Sequence, residues 1–190
     1  MVWTIQHLPV VDFRPYKIGN HLPTIMEDSA PDQYEYTYIC VKDSVEQAFT
    51  ADNYPDSTWK MVRYESKLIK KGYDSPIHDF EILNADYEDL TWDILENEEP
   101  ITLVVMYDLE KADKKQMAKV EALLGKEDKG YILTGSGTDE IISFSLEYPT
   151  LSDCICTCDP VTLKTIVRAN PGVIVIQNGV VIDKYNIRNR

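Results

Sequence analysis

Three cysteines at alternate positions, Cys154, Cys156 and Cys158 in "DCICTCD", are the densest grouping of reactive side chains in the sequence. On an unbroken strand they would face one way, neighbours about 6.6 Å apart and the outer pair about 13 Å. Thiols so placed suit metal ligation, disulfide exchange or packing. A tetrahedral zinc holds each sulfur about 2.3 Å away, so the outer two cannot share one ion unless the strand breaks. A disulfide between positions two apart would be strained and oxidising. Exchange chemistry needs an exposed thiol with a lowered pKa. Free cysteine otherwise acts as a small buried hydrophobe. Packing therefore ranks first, redox use second and metal binding last, and no metal or cofactor is expected.

Other motifs carry less. Gly135-Ser136-Gly137 has the look of a phosphate loop, but the Walker and Rossmann spacings are absent and a two-glycine turn before a helix is commoner. His78-Asp79 suggests acid–base work, yet no serine or cysteine stands in a nucleophile setting, so a hydrogen-bonded structural pair is favoured. The charged run "LEKADKKQ" reads as a solvated helix start.

The chain has 190 residues, 44% of them hydrophobic, enough to bury a core. Its 19 basic residues against 32 acidic ones give a formal charge of −13, which argues against nucleic acid and anionic lipid as partners. No apolar run approaches the roughly 20 residues that cross a bilayer, so direct insertion is not expected. The opening "MVWTIQHLPVVDFRPY" lacks a basic n-region and a small-residue cleavage site, unlike a signal peptide. Four cysteines, three of them clustered, do not make a disulfide framework.

The elements that must position these groups follow from periodicity. Residues 1–30, with Pro9, Pro15 and Pro23 and with Pro31 just after them, read as an extended arm. Residues 31–73 read as a β-rich extension: Tyr34, Tyr36, Tyr38 and Cys40 share one face of a first strand, and a turn at Lys42-Asp43-Ser44 makes a hairpin. That tyrosine face suits packing against the arm or contact with a partner. "STWKMVRYESKLIKKGY" alternates as a strand, with a helix as the other reading. Residues 74–190 carry "PIHDFEIL" as a short strand, "YEDLTWDIL" as a short helix or turn, and "ITLVVMY" as a strand buried on both faces. A helix through "EKADKKQMAKVEALLG" presents Met117, Val120 and Leu124 to one side and stops at Gly125. "GYILTGS" follows as a strand, then a helix over "TDEIISFSLEY" capped by Ser136 or Thr138, then "CICTC" as a strand. Asp159 caps a last helix with Pro160 at its first position, and "GVIVI", Gln177-Asn178-Gly179 and "VVIDKY" close as a hairpin. The order β-α-β-α-β-α-β-β predicts an α/β domain with a parallel sheet covered by helices and an antiparallel end.

That order, with Ala169-Asn170-Pro171-Gly172 before the penultimate strand and an Asn-Gly turn after it, resembles the thioredoxin-like superfamily. "SPIHDFEILNADYEDLTWDILENEEPITLVVMY" is similar to the opening of peroxiredoxin-type and TlpA-type members. The resemblance covers residues 74–187 and implies a central mixed sheet flanked by helices, with a cis peptide before Pro171. An ordinary trans turn at Pro171-Gly172 is the other reading. The segment that carries Cys-x-x-Cys in thioredoxins is here "YDLEKADKKQM", without a cysteine. The usual dithiol exchange is therefore missing, as is a peroxidatic cysteine.

The motifs "HLPVVDFRPYKIG", "YPDSTWKMV", "GYDSPIHDF", "MYDLEKAD" and "TLKTIVRANPGVIVI" resemble the soluble C-terminal region of bacterial DoxX-type membrane proteins. This resemblance implies a membrane-attached domain on the periplasmic face, or a cytoplasmic one if free-standing, with a membrane-embedded DoxX-type domain as protein partner. The expected function is a redox-inert binding or assembly module that meets a peptide or protein at Asn170, Pro171, Asp108, Leu109 and Glu110. The alternative is a thiol–disulfide oxidoreductase using Cys154, Cys156 and Cys158.

Overall fold

The structure, a computed structural model, describes residues 12–26, 31–77, 80–125 and 130–189. The chain divides into two compact units, one formed by residues 28–75 and the other by residues 1–27 and 76–190.

The smaller unit is a three-stranded antiparallel sheet in the order β2-β1-β3, from β1 (Gln33–Lys42), β2 (Val45–Thr50) and β3 (Lys60–Lys70). The segment 60–70 is thus strand, as its alternation favoured. Asp43 and Ser44 both take positive φ, the two-residue hairpin geometry that matches strand twist. Register sorts the side chains by face. Tyr34, Tyr36, Tyr38 and Cys40 stand opposite Leu68, Ser66, Tyr64 and Met61. Glu35 stands opposite Lys67 on the other face, where Arg63 pairs with Glu46 at 3.3 Å. The tyrosines pack on one another, with Tyr36 and Tyr64 ring centres 6.1 Å apart, yet remain 42% and 61% exposed.

The larger unit is built on a five-stranded sheet in the order β6-β5-β4-β7-β8. Its strands are β4 (Ile101–Val105), β5 (Gly130–Thr134), β6 (Ile155–Thr157), β7 (Gly172–Gln177) and β8 (Val180–Asn186). β4, β5 and β6 run parallel, while β7 and β8 are antiparallel. This is the expected thioredoxin-like arrangement, with the expected cis peptide at Asn170-Pro171. α1 (Leu22–Met26), α2 (Thr91–Leu95), α3 (Met117–Leu124), α4 (Thr138–Glu147) and α5 (Pro160–Ile166) complete it. Every residue of β4 is buried, because β4 lies mid-sheet with packing on both sides. Leu103 and Val105 join one core cluster with Leu163 and Ile166 of α5. Val104 joins the other with Val120 of α3 and Phe144 of α4. Period-two strands thus bury two independent cores.

Four local expectations are corrected. "PIHDFEIL" contributes no strand among its described residues; Leu83 makes single bridge pairs with Asp89 and Thr157. α3 starts only at Met117, because Asp113 accepts the Lys115 amide and caps a 3-10 turn first. α4 begins after Gly137 with no side-chain cap, since the Ser136 hydroxyl accepts the Leu109 amide and Thr138 is itself the first residue of the helix. The segment read as an arm reaches the core: Tyr16 and Leu22 are fully buried, and Leu22 opens a short helix. By contrast Asp159 caps α5 as expected, accepting from the Val161 and Thr162 amides.

Lys184 fixes that N-terminal segment. Its side chain is 3% exposed, and its ammonium donates to Asp12, to the Tyr16 carbonyl at 2.6 Å and to the Ile166 carbonyl at 3.4 Å. Burial pulls Lys184 below the ordinary lysine value, with the hydrogen bond to Asp12 acting the other way. Burial alone would raise Asp12, but hydrogen bonds from Arg14 and Lys184 outweigh it and hold the carboxyl far below its ordinary 3.8. Alongside, the Gly19 amide donates to the Val181 carbonyl and the Val181 amide to the Asn20 carbonyl, so the segment runs on as a partner of β8. The hairpin turn fits beneath it: Gly179 has φ +72, and a Cβ there would lie 2.7 Å from Pro23 Cδ.

Replacing Lys184 with Met should lower the unfolding free energy by about 2–4 kcal/mol, since Asp12 and two carbonyls lose their donor. Denaturant melts at pH 7 would measure it. A depressed folded pKa at Asp12 means its stabilisation is present above the ordinary carboxylate value and drains as pH falls below it. Wild-type protein should therefore lose more stability than Asp12→Asn between about pH 5 and pH 2, read from paired melts.

Candidate functional site

β4 leads into residues 107–113, the position that carries the thiols in thioredoxins. Here it is a tight turn: the Lys111 amide and ammonium both donate to Asp108, and the Ala112 amide donates to the Leu109 carbonyl. Lys111 holds the Asp108 carboxyl below its ordinary range. Two hydrogen bonds tie the turn to the residues before β7. Asn170 Nδ2 donates to the Asp108 carbonyl at 2.7 Å, and the Asp113 amide donates to the Asn170 carbonyl at 3.0 Å. Arg188 closes the far side with an ion pair to Asp113 at 2.7 Å.

The five residues named from sequence are thus brought together, but with unequal exposure. Glu110 is exposed, Asp108 and Asn170 are half-buried, and Leu109 and Pro171 are buried. Gly172, at the start of β7, pairs with Val105 on one side and Asn186 on the other. The Asn170 carbonyl is already taken, and Asn170 Oδ1 is buried without a partner. The turn therefore presents its outer face, not its main chain.

That outer face borders a groove of about 370 Å³. Leu109, Ala112, Met117 and Phe144 give it an apolar floor. Glu110, Asp139, Glu140 and Glu147 stand around it against a single lysine, Lys114, whose ammonium already pairs with Glu147 at 2.7 Å. An apolar floor with an acidic rim suits an apolar side chain flanked by basic ones. Phe144, Glu140 and Glu147 come from α4, some thirty residues downstream, and sequence reading did not place them beside the turn. The one available signal was the acidic stretch Asp139-Glu140 next to apolar α4 positions.

The cysteines are free, and they do not form a one-sided ladder. β6 is only three residues long, so Cys154 and Cys158 lie outside it. Cys156 and Cys158 belong to one core cluster, whereas Cys154, in the 3-10 turn before the strand, packs against the other. Burial pushes the Cys156 thiol up to about 11 and Cys158 up to about 12, and burial with nearby Asp153 raises Cys154. At neutral pH such thiols stay protonated and are poor nucleophiles. Among the described residues no three His, Cys, Asp or Glu side chains group as metal ligands. His78 and Asp79 lie outside the described residues.

Comparison with known proteins adds context. A family model described as a domain of unknown function, DUF8463, matches residues 34–71, which lie within the smaller unit. No curated protein matches the chain. Among solved structures, a thioredoxin-like protein from Aeropyrum pernix is similar at 11% identity and TM-score 0.43, over 57% of this chain and 81% of that one. A thiol peroxidase from Chromobacterium violaceum is similar at 8% identity and TM-score 0.39, over 57% of this chain and 71% of its own. AhpC from Mycobacterium bovis is similar at 8% identity and TM-score 0.37, over 93% and 82%. Likeness at this level says nothing of activity; strand order and register carry the fold. Among the described residues no helix is long and apolar enough to cross a membrane.

Thiol labelling followed by intact mass checks the cysteine geometry. Cys40, Cys156 and Cys158 should alkylate at least about a hundredfold slower in native than in denatured protein, with Cys154 intermediate.

Proposed function

We propose that this chain is a redox-inert thioredoxin-like binding module whose partner is a membrane-embedded DoxX-type domain. The observation that carries the reading is the turn at residues 107–113: it stands where the fold places its reactive thiols, holds none, and borders an apolar groove with an acidic rim. The clamp from Asn170 to Asp108 and Asp113 supports a rigid recognition surface, because it fixes the turn without using its outer side chains. On this reading Glu110 meets the partner, Leu109 floors the groove, and Asn170, Pro171 and Asp108 hold the turn from behind. The DoxX assignment and the periplasmic face rest on the resemblance of the five sequence motifs. Thiol–disulfide exchange at Cys154, Cys156 and Cys158 is the competing reading, and it requires lowered pKa values where burial acts in the opposite sense.

The test is binding of the purified chain to a DoxX-type membrane domain held in lipid nanodiscs. Reversing the rim with Glu110→Lys and Glu140→Lys should weaken binding about tenfold and reduce its salt dependence. Changing Cys154, Cys156 and Cys158 to Ala should leave affinity within about twofold, provided the melting transition is retained. Affinity lost with the cysteines, or unmoved by charge reversal, would turn the argument to redox chemistry or to another surface.

A further inference from the structure

The chain leaves β5 and β6 in opposite directions. After β5 it passes through Gly135, Ser136 and Gly137 to α4, whose Phe144 packs in one core cluster. After β6 it passes through Cys158 and Asp159 to α5, whose Leu163 and Ile166 pack in the other. Where neighbouring parallel strands send their connections to opposite faces, a crevice opens beyond their carboxyl ends, and α/β sheets bind ligands there. The two connections touch at its base: a Cβ on Gly135 would lie 2.5 Å from Pro160 Cβ. Above them is a cavity of about 610 Å³, in the size range of small-molecule sites.

Its described lining residues carry one electrostatic sign. Glu81, Asp89 and Asp159 face it, with no lysine, arginine or histidine among the described lining residues. Several polar groups are already engaged. Asp89 Oδ1 accepts the Thr91 amide, Thr91 Oγ1 the Ile82 amide, and Asp159 Oδ1 the Val161 and Thr162 amides. The second carboxylate oxygens of Asp89 and Asp159, and both of Glu81, have no described partner. Phe80 and Trp92 supply aromatic walls, and Trp92 is 44% exposed.

An independent observation lies next door. Tyr16 is 1% exposed and its hydroxyl has no hydrogen-bond partner, which costs a buried polar group about 1–3 kcal/mol. Tyr16 lines a second cavity of about 320 Å³ that shares Ile77 and Asp159 with the first. Burial, and then nearby Cys158 and Asp159, which line the crevice, raise the Tyr16 hydroxyl above its ordinary value.

We propose that this crevice binds a small organic cation with two or more N–H donors, a polyamine or a guanidine. Carboxylates on several sides repel anions and accept N–H donors, and an indole face attracts a cation within about 6 Å of its centre. The site shares no lining residue with the groove beside residues 107–113, to which Ser136 links it by accepting the Leu109 amide, and it does not depend on the partner reading.

The experiment titrates the full chain with spermidine, putrescine and arginine in about 150 mM salt, where diffuse attraction to a −13 protein is screened. Saturable one-to-one binding is expected for at least one of them by calorimetry. Glu81→Gln should weaken it at least about fivefold, as should Trp92→Leu, because neither side chain has a described hydrogen bond whose loss would disturb the fold. The groove variant Glu110→Gln with Glu140→Gln should leave it unchanged. The proposal is overturned if none of the three cations binds saturably. It is overturned equally if Glu81→Gln and Trp92→Leu bind as wild type, or if the groove variant abolishes binding. A lysine-rich peptide that binds while the free amines do not would also overturn it, in favour of a protein partner.

Discussion

The larger unit depends on one buried ammonium. Lys184 sits near the end of the last strand and donates to three acceptors from two other parts of the chain: Asp12 and Tyr16 near one end, and Ile166 at the end of α5. A buried charge is tolerated only when its hydrogen bonds are complete, so the strand, the N-terminal segment and the end of α5 must meet at one point. With residues 12–20 in place, Tyr16 packs on Phe80 at 5.6 Å between ring centres and Leu22 enters the core. Tyr16 and Met26 then become walls of the two adjoining cavities. The segment is part of the domain because the buried lysine would otherwise keep only the Ile166 carbonyl.

Charge sets the character of both candidate surfaces. The excess of carboxylates is not spread only over solvated faces; it recurs at the rim of the groove beside α4 and around the crevice beyond β5 and β6. The few cations near the groove are committed to ion pairs within the chain, Lys111 to Asp108 and Lys114 to Glu147. What remains is a field that draws basic groups and repels phosphates. The two surfaces differ in shape, one a groove with an apolar floor and the other a crevice between diverging connections. Shape and not charge distinguishes the two.

Residues 107–113, which hold no cysteine, are fixed by hydrogen bonding. In place of a thiolate at the first βα turn there is an Asx-type turn around Asp108, pinned to Asn170 and held at its far end by Arg188. The cysteines that the chain does possess lie on or beside β6, where burial disfavours the thiolate. The sheet is held by its two apolar cores, to one of which the turn contributes Leu109 and Ala112.

Much of this was legible in sequence wherever local rules act alone. "ITLVVMY" had to be a central strand because no face of it is polar, and Asp159-Pro160 had to open a helix because its carboxylate reaches the next free amides. Asn178-Gly179 had to turn tightly because both residues accept positive φ. These are interactions between residues a few places apart, so residue types and spacing suffice to fix them. Other features were decided only by the tertiary structure. The cysteine ladder broke because β6 stops after three residues, and α3 started late because Asp113 was drawn into its own cap and the Asn170 clamp. The salt link from Asp12 to Lys184 joins residues 172 positions apart. So too the groove and the crevice exist only where strands distant in sequence set their connecting segments side by side. A linear pattern records which groups are available, and packing alone decides which of them meet.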